Sequence, residues 1–392
     1  MTGEATRAPR LRATLREGET VAPIELFFDL VFVLGFTQCT ALMADDPTWA
    51  GLARGLLVLG VLWWCWVGYA WLTSVVDPEE GAVRLVMFGA MAALLVAALC
   101  VPEAFGELGL LFAVAYALVR IAHIALFALA SRDDVNLRSS VIGLAISTAL
   151  ATGLLVGASF LDGVPQGALW ALALALDMGG PYFFGAEGWK LVPEHFAERH
   201  GLILIIALGE SIVAIGIGAE HGVDAGVVAA AVLGVAIAAA LWWMYFDIVA
   251  LVSARRLANA APGREQNTMA RDSFSYLHFP MVAGIILLAL GLKKTLEHVD
   301  DPLKLVPAFA LLGGVALYLL AHVAFRWRHV HTLNTRRLGL ALILLALVPV
   351  AVELPALVSV AIVAVLAWLL IAVETRSYGE TRARLRHELA QH

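Results

Sequence analysis

The residues of this sequence most able to do chemistry are an acid pair, a mid-span arginine, and two histidines at matching places. Glu25 and Asp29 stand four residues apart in PIELFFDLVFV, at Pro23–Val33. On a helix that spacing puts both carboxylates on one face, where like charges repel unless a cation or water joins them. Further along lie Arg120, His123, Asp177, Glu210 with Ser211, Asp247 and His322, each inside an apolar run. A charge at the centre of a bilayer costs roughly 2.5–3.5 kcal/mol on insertion scales. Such residues must therefore face a protein interior or water and take partners. The chemistry they offer is ion pairing, proton uptake and release, and solvation of a permeating ion or solute.

Helices spanning a bilayer must position these groups. Of the 392 residues, 61% are hydrophobic and 15% charged, and the mean hydropathy is +0.85. A helix needs about 20 apolar residues to cross hydrocarbon. The runs lack the alternation of barrel strands, so the expected class is an all-α polytopic membrane protein. Twelve spans are expected, at 22–43, 50–74, 82–101, 108–131, 138–160, 164–185, 199–219, 225–253, 272–292, 303–326, 335–352 and 355–375. The least distinct boundaries are the Asp162–Gly163 turn and the Glu353–Leu354 link. The three cysteines, Cys39, Cys65 and Cys100, fall inside apolar runs and read as buried small hydrophobes.

Charge placement orients the chain. With twelve spans both termini share one side. That side carries 21 of the 26 basic residues, from Arg7 through Arg84, Arg132, Arg199, Arg271 and Arg337 to Arg386. Arg54, Lys293, Lys294 and Lys304 lie opposite, and Arg120 lies within a span. Both termini are therefore expected in the cytoplasm of a bacterial inner membrane.

Two pieces recur in order. LWWCWVGYAWLTS at Leu62–Ser74 resembles LWWMYFDIVALVS at Leu241–Ser253, and AHIALF at Ala122–Phe127 resembles AHVAFR at Ala321–Arg326. Glu198 at the mouth of span 7 then corresponds to Glu25. The expected organisation is a cytoplasmic N-terminal segment (1–21), a six-helix half (22–185), a linker (186–198), a second six-helix half (199–375) and a basic tail (376–392). An even number of spans per half gives two parallel repeats.

At about 1.5 Å per residue, Arg120 and Glu210 both lie near the midplane and are the best-matched candidate ion pair. His123 sits one turn from Arg120 on the same face. Asp29, Asp177 and Asp247 lie toward the cytoplasm and suggest a water-accessible vestibule, with Arg84 and Arg199 as candidate cations. Gly209, Gly216 and Gly218 thin the helix around Glu210. DMGGPYFF at Asp177–Phe184 is expected to loosen the end of span 6 and free carbonyls. The tail is expected to lie as an amphipathic helix on anionic lipid.

No enzymatic chemistry or cofactor is expected. The sequence has no Walker loop, no G-x-S-x-G, no CxxC and no mid-span lysine for a Schiff base. His195 and His200, beside Glu194 and Glu198, have a spacing that is a weak metal signal, and no metal is expected. The expected partners are the lipid bilayer and an unidentified small solute or ion, with no nucleic acid.

PIELFFDLVFVLGFTQ, which ends on the polar Gln38, and ERHGLILIIALGESIVAIG at Glu198–Gly216 resemble the bacterial low temperature requirement A (LtrA) family. The aromatic-Asp run at Trp242–Asp247 fits it as well. The resemblance implies a multi-pass bacterial inner-membrane protein. The first helix also resembles that of the endolysosomal and bacterial potassium channels with an R-x-x-x-F-S-D signature, whose first helices line a pore. Phe27, Asp29 and Phe32 match, but Phe28 stands where that signature has Ser, and the Arg is missing. The function expected first is secondary transport, with Asp29, Glu210 and the histidines in proton coupling. The alternative is an ion channel, as a homodimer, with spans 1 and 7 lining the pore and Val33, Ile206 and Ile212 forming an apolar constriction. A membrane-embedded enzyme or a sensor ranks lower.

Overall fold

The computed structural model describes residues 20–183, 188–219 and 222–389, with side chains to residue 377. Most of the expected N-terminal segment and the side chains of the tail thus lie outside the described residues.

The helices are α1 (Pro23–Asp45), α2 (Trp49–Thr73), α3 (Gly81–Cys100), α4 (Gly109–Ala130), α5 (Val135–Ala158), α6 (Gly163–Phe183) and α7 (Pro193–Gly218). They continue as α8 (Ala225–Phe246), α9 (Val249–Asn259), α10 (Arg264–Met269), α11 (His278–Glu297), α12 (Leu305–Val330), α13 (Thr335–Ala351) and α14 (Ala356–Leu389). A π-helical turn, Ala270–Tyr276, joins α10 to α11. No strand occurs among the described residues; one isolated bridge links Pro302 and Pro355.

Local sequence sets many helix starts. Pro23 and Pro193 open α1 and α7, where a missing N–H costs nothing. Thr48, Asp134, Asp224 and Asn334 cap α2, α5, α8 and α13 with their side chains. Gly163 takes a φ of +63° in the tight turn between α5 and α6, a conformation that only glycine adopts freely. The Glu353–Leu354 link is pinned from outside: Ala356 N donates to Asp301 O and Leu357 N to Val299 O.

Ten helical segments among the described residues are long and apolar enough to cross a membrane. Large apolar side chains stand bare on the outer surface, such as Leu85 (71% exposed) and Val365 (64% exposed). In water so much contiguous apolar surface would be unfavourable, so the chain is a polytopic membrane protein. Two expected spans fall outside the ten, α6 and the 17-residue α13.

Other boundaries move. Span 8 was expected to run unbroken to residue 253, but the helix stops at Phe246. After Asp247 and Ile248 the chain restarts as α9, which buries Ser253 and Leu257 while Arg255 and Arg256 stay outward. A segment with one apolar face cannot continue into hydrocarbon. It lies instead against α7. Helix α7 starts at Pro193, inside the expected linker, so Glu198 is the sixth residue of the helix and not at its mouth. The end of α6 does not unwind among the described residues. It runs through Pro181 to Phe183, and its free carbonyls find neighbours: Tyr276 Oη donates to Met178 O and Arg271 Nη1 to Pro181 O.

A similar order of packing occurs twice along the chain. Helices α1, α3, α4 and α5 pack in succession, as do α7, α11, α12 and α13. Helix α6 returns to α2, and α14 returns to α8. Helices α11 and α12 meet backbone to backbone. A Cβ on Gly291 would come 2.6 Å from Leu311 Cα, and one on Gly284 would come 2.5 Å from Gly314 O. Backbone cannot yield as a flexible side chain can. Gly291→Ala is therefore expected to destabilise the fold by at least about 2 kcal/mol through overpacking, read as a lower thermal midpoint in detergent. Gly153→Ala, which meets nothing within 4 Å, is the control and should leave the midpoint in place.

Candidate functional site

Where α1 and α7 begin, their polar residues close on one another. Arg199 Nη1 donates to Glu25 Oε1 at 2.8 Å, and its Nη2 to Asp29 Oδ1 at 2.7 Å. The guanidinium also reaches Thr73 Oγ1 on α2 at 3.0 Å and lies 5.5 Å from the centre of the Trp66 ring. His195 Nε2 lies 2.9 Å from Glu25 Oε1, and Trp66 Nε1 donates to Asp29 Oδ1 at 2.8 Å. Glu25, Asp29, His195 and Arg199 are all fully buried. Glu25 additionally takes the Ala22 N–H at the start of α1. Two acids on one face are thus reconciled by one forked cation, which can bond both carboxylates at once.

The vestibule expected around Asp29, Asp177 and Asp247 does not stand open. Asp29 is 0% exposed, Asp177 2% and Asp247 8%. Arg199 is the expected cation; Arg84 instead donates to the Glu79 carbonyl beside it. Glu198 accepts from Val21 N. Outside the helices, Lys190 in the linker lies 2.7 Å from Asp134 at the start of α5 and holds that carboxyl below its usual range.

The expected Arg120–Glu210 pair does not form. Arg120 Nη2 donates to Asp177 Oδ1 at 3.0 Å and to Thr148 Oγ1 at 2.6 Å, and its Nη1 to Trp64 O at 3.3 Å. Tyr116 Oη donates to the other Asp177 oxygen at 3.3 Å. Glu210 sits elsewhere, buried between α7 and α1, where Thr37 Oγ1 donates to its Oε2. Ser211 turns back to the Leu208 carbonyl, and Gln38 is half-buried on α1. Depth alone misassigned the pair: Asp177 is only about 4–5 Å from Arg120 in expected depth, within an arginine's reach, and α4, α5 and α6 are neighbours while α7 is not.

On α13, Arg337 makes a similar clamp. Its Nε and Nη2 donate to the two Glu374 oxygens at 3.1 and 2.9 Å, and its Nη1 to Met244 O at 3.2 Å. His322 Nδ1 lies 2.7 Å from that same Nη1. Arg120 thus binds an acid of α6 and a carbonyl of α2, and Arg337 an acid of α14 and a carbonyl of α8. Arg337 and Glu374 were missed because both sit at the edges of apolar runs and read as flanking charges.

A third group fills the space between these sites. His200 Nδ1 lies 2.8 Å from Phe196 O, and its ring stands edge-on to Trp66 at 4.9 Å and to His278 at 5.2 Å. His278 Nε2 lies 2.8 Å from Tyr245 Oη, and its Nδ1 lies 3.0 Å from Ser273 O in the π-helical turn. His195 and His200 therefore serve different networks rather than one metal site. Among the described residues no group of three or more His, Cys, Asp or Glu could hold a metal ion.

A cavity of about 50 Å³ opens beside Arg120 and His123. Its walls come from distant parts of the chain: Trp64, Gly68 and Trp71 of α2, Arg120 and His123 of α4, and Asn267, Arg271 and Ser275 ahead of α11. The Nε of Arg120 is buried without a hydrogen-bond partner, and the His123 ring lies against the Gly68 backbone.

The profile of the bacterial low temperature requirement A protein (LtrA) family matches residues 20–372. An uncharacterized protein of Rhizobium meliloti (strain 1021) is 33% identical over 308 residues, covering 75% of this chain and 74% of that protein. No solved structure matches the chain.

Proposed function

The chain belongs to the bacterial low temperature requirement A family, and from that premise we propose that it is a secondary transporter of a small solute or ion in the bacterial inner membrane. In this reading twelve helices form two parallel six-helix halves with both termini in the cytoplasm. The observation that carries it is the cavity between the halves, floored by the buried Arg120 and His123. Transporter sites of this kind lie near the midplane at repeat interfaces. The matched helix pairs and the two arginine clamps support the repeat.

Rocking of the halves would have to part the contacts that cross between them. These include Arg199 with Glu25 and Asp29, Thr37 with Glu210, and the bonds from Trp63 and Trp71 to Ser275. Asp29 Oδ2 is a buried acceptor without a partner, and Glu210 faces the hydroxyls of Thr37 and Thr40 on α1. A proton on either carboxylate would weaken its hold across the interface, which couples protonation to opening.

The channel alternative has less support. A pore between α1 and α7 would have to separate helices that the Arg199 and Glu210 contacts hold together. Ile212, expected in the constriction, is 53% exposed on the outer surface.

The test is a flux screen in proteoliposomes across ions and small solutes, with and without a pH gradient. Asp29→Asn and Glu210→Gln should each cut a gradient-driven flux by at least about tenfold, equivalent to roughly 1.4 kcal/mol. Undiminished flux in both variants, with folding verified by thermal melting, would remove the coupling role.

A further inference from the structure

A groove of about 680 Å³ lies between α7 and α9, at the end of the bundle where α7 begins. Its two walls differ in charge. Glu194 and Glu198 stand one turn apart on α7, and both are exposed. Arg255 and Asn259 stand one turn apart on α9, and both are exposed as well. The i, i+4 spacing keeps each pair on one side of its helix. Ala197, Gly201, Ala250 and Ala254 line the space between the walls, and their small size leaves it deep.

The charges in this groove are not spent on one another. Among the described residues Glu194 and Arg255 have no ion-pair partner, and Glu198 accepts from Val21 N. Arg256, next in the chain, is committed to the His329 carbonyl. Further along α7 the lining turns apolar, with Leu202 and Ile205 on one side and Phe246 and Leu251 on the other. Ile205 is 44% and Leu251 42% exposed, and Trp242 stacks on Phe246 to extend the same surface. From Glu194 to Ile205 the helix rises about 16 Å. The polar layer on each side of a bilayer is only about 5–8 Å deep, so the groove runs from that layer into hydrocarbon.

We propose that this groove holds one phospholipid whose zwitterionic headgroup ends in a primary ammonium. The ammonium lies at Glu194 and Glu198, the phosphate meets Arg255 and Asn259, and the acyl chains follow Ile205 and Leu251 inward. Each polar contact is then a charge-assisted hydrogen bond. A quaternary choline headgroup carries the same charges but has no N–H to donate to the carboxylates. An anionic glycerol headgroup offers them no cation and is repelled by both. A soluble amine would use the acids and leave Arg255 and the apolar lining idle. The volume lies within the range of about 300–1,000 Å³ usual for ligand sites, enough for a headgroup and the first part of its chains.

The experiment gives the purified full-length protein in detergent equal amounts of dioleoyl phosphatidylethanolamine, phosphatidylcholine and phosphatidylglycerol. Native mass spectrometry counts the lipid retained. Phosphatidylethanolamine should be preferred to each of the others by about tenfold or more, and it alone should raise the thermal midpoint. Glu194→Gln combined with Glu198→Gln should remove the preference over phosphatidylcholine. Arg255→Gln should weaken both zwitterionic lipids alike. These residues are exposed, so the variants should keep the fold, with a wild-type midpoint in plain detergent as the check. Glu79→Gln, exposed outside the groove, should keep the wild-type preference. Equal retention of the three lipids, or a preference that survives the double change, overturns the proposal. So does a change of oligomeric state in the groove variants with lipid retention unaltered, which would assign the groove to a second copy of the chain.

Discussion

Replacing Arg199 by alanine is expected to destabilise the protein by about 3–5 kcal/mol, the usual result of breaking a buried ion pair from one side. The guanidinium joins Glu25 and Asp29 at 2.8 and 2.7 Å, and all three residues are 0% exposed. Without it, two carboxylates remain buried on one face of α1 in a site that water does not reach. His195 would still touch Glu25, but Asp29 would keep only the Trp66 N–H. A lysine is a point charge on a flexible stem and cannot offer the two parallel bonds of the fork. Arg199→Lys should therefore fall between wild type and alanine. The triple change Arg199→Met, Glu25→Gln and Asp29→Asn removes every charge together and should recover much of the loss, while abolishing any coupling through Asp29. Thermal unfolding in detergent reads all three. A wild-type midpoint for Arg199→Ala would mean that the network carries no stability.

The second large effect concerns Arg120. Asp177→Ala is expected to cost a similar 3–5 kcal/mol, because it leaves a buried guanidinium with only neutral acceptors. Those acceptors are Thr148 Oγ1 and Trp64 O. A double-mutant cycle distinguishes this partner from the one that depth alone suggests. Arg120→Met with Asp177→Asn should show a coupling of about 1.5 kcal/mol or more, whereas Arg120→Met with Glu210→Gln should be additive within about 0.5 kcal/mol. The reverse pattern would restore the Arg120–Glu210 pair. Arg337 and Glu374 offer the same measurement in the second half.

How far each feature could be read before folding depends on its physical range. Helical membrane character follows from composition and run length, which act locally. The polar residues worth watching were also visible, because a charge in hydrocarbon is expensive wherever it sits. Asp29, Arg120, His123, Asp177, Glu210 and His322 all proved to be buried. Their partners were not visible. Depth along a helix follows from counting residues, but which helix lies beside which follows from packing. Arg120 therefore found Asp177 two helices on, and Glu210 found Thr37.

Arg199 marks the boundary between the two kinds of knowledge. Its charge, its place near the start of a helix and the need of Glu25 and Asp29 for a cation were all present in the sequence. Its complete burial was not, nor was His195 beside it, because the chain between Trp189 and Phe196 could have been linker or helix. Pro193 starts α7 early enough to carry both residues inward. The cavity beside Arg120 belongs wholly to the tertiary level. Its walls come from residues as far apart as Trp64 and Ser275, and no spacing in the sequence brings them together. Sequence alone determined that this is a bundle of apolar helices with costly polar groups inside. Helix packing decided which charges cancel, because only the tertiary arrangement brings Arg199 to Glu25 and Asp29 and Arg120 to Asp177.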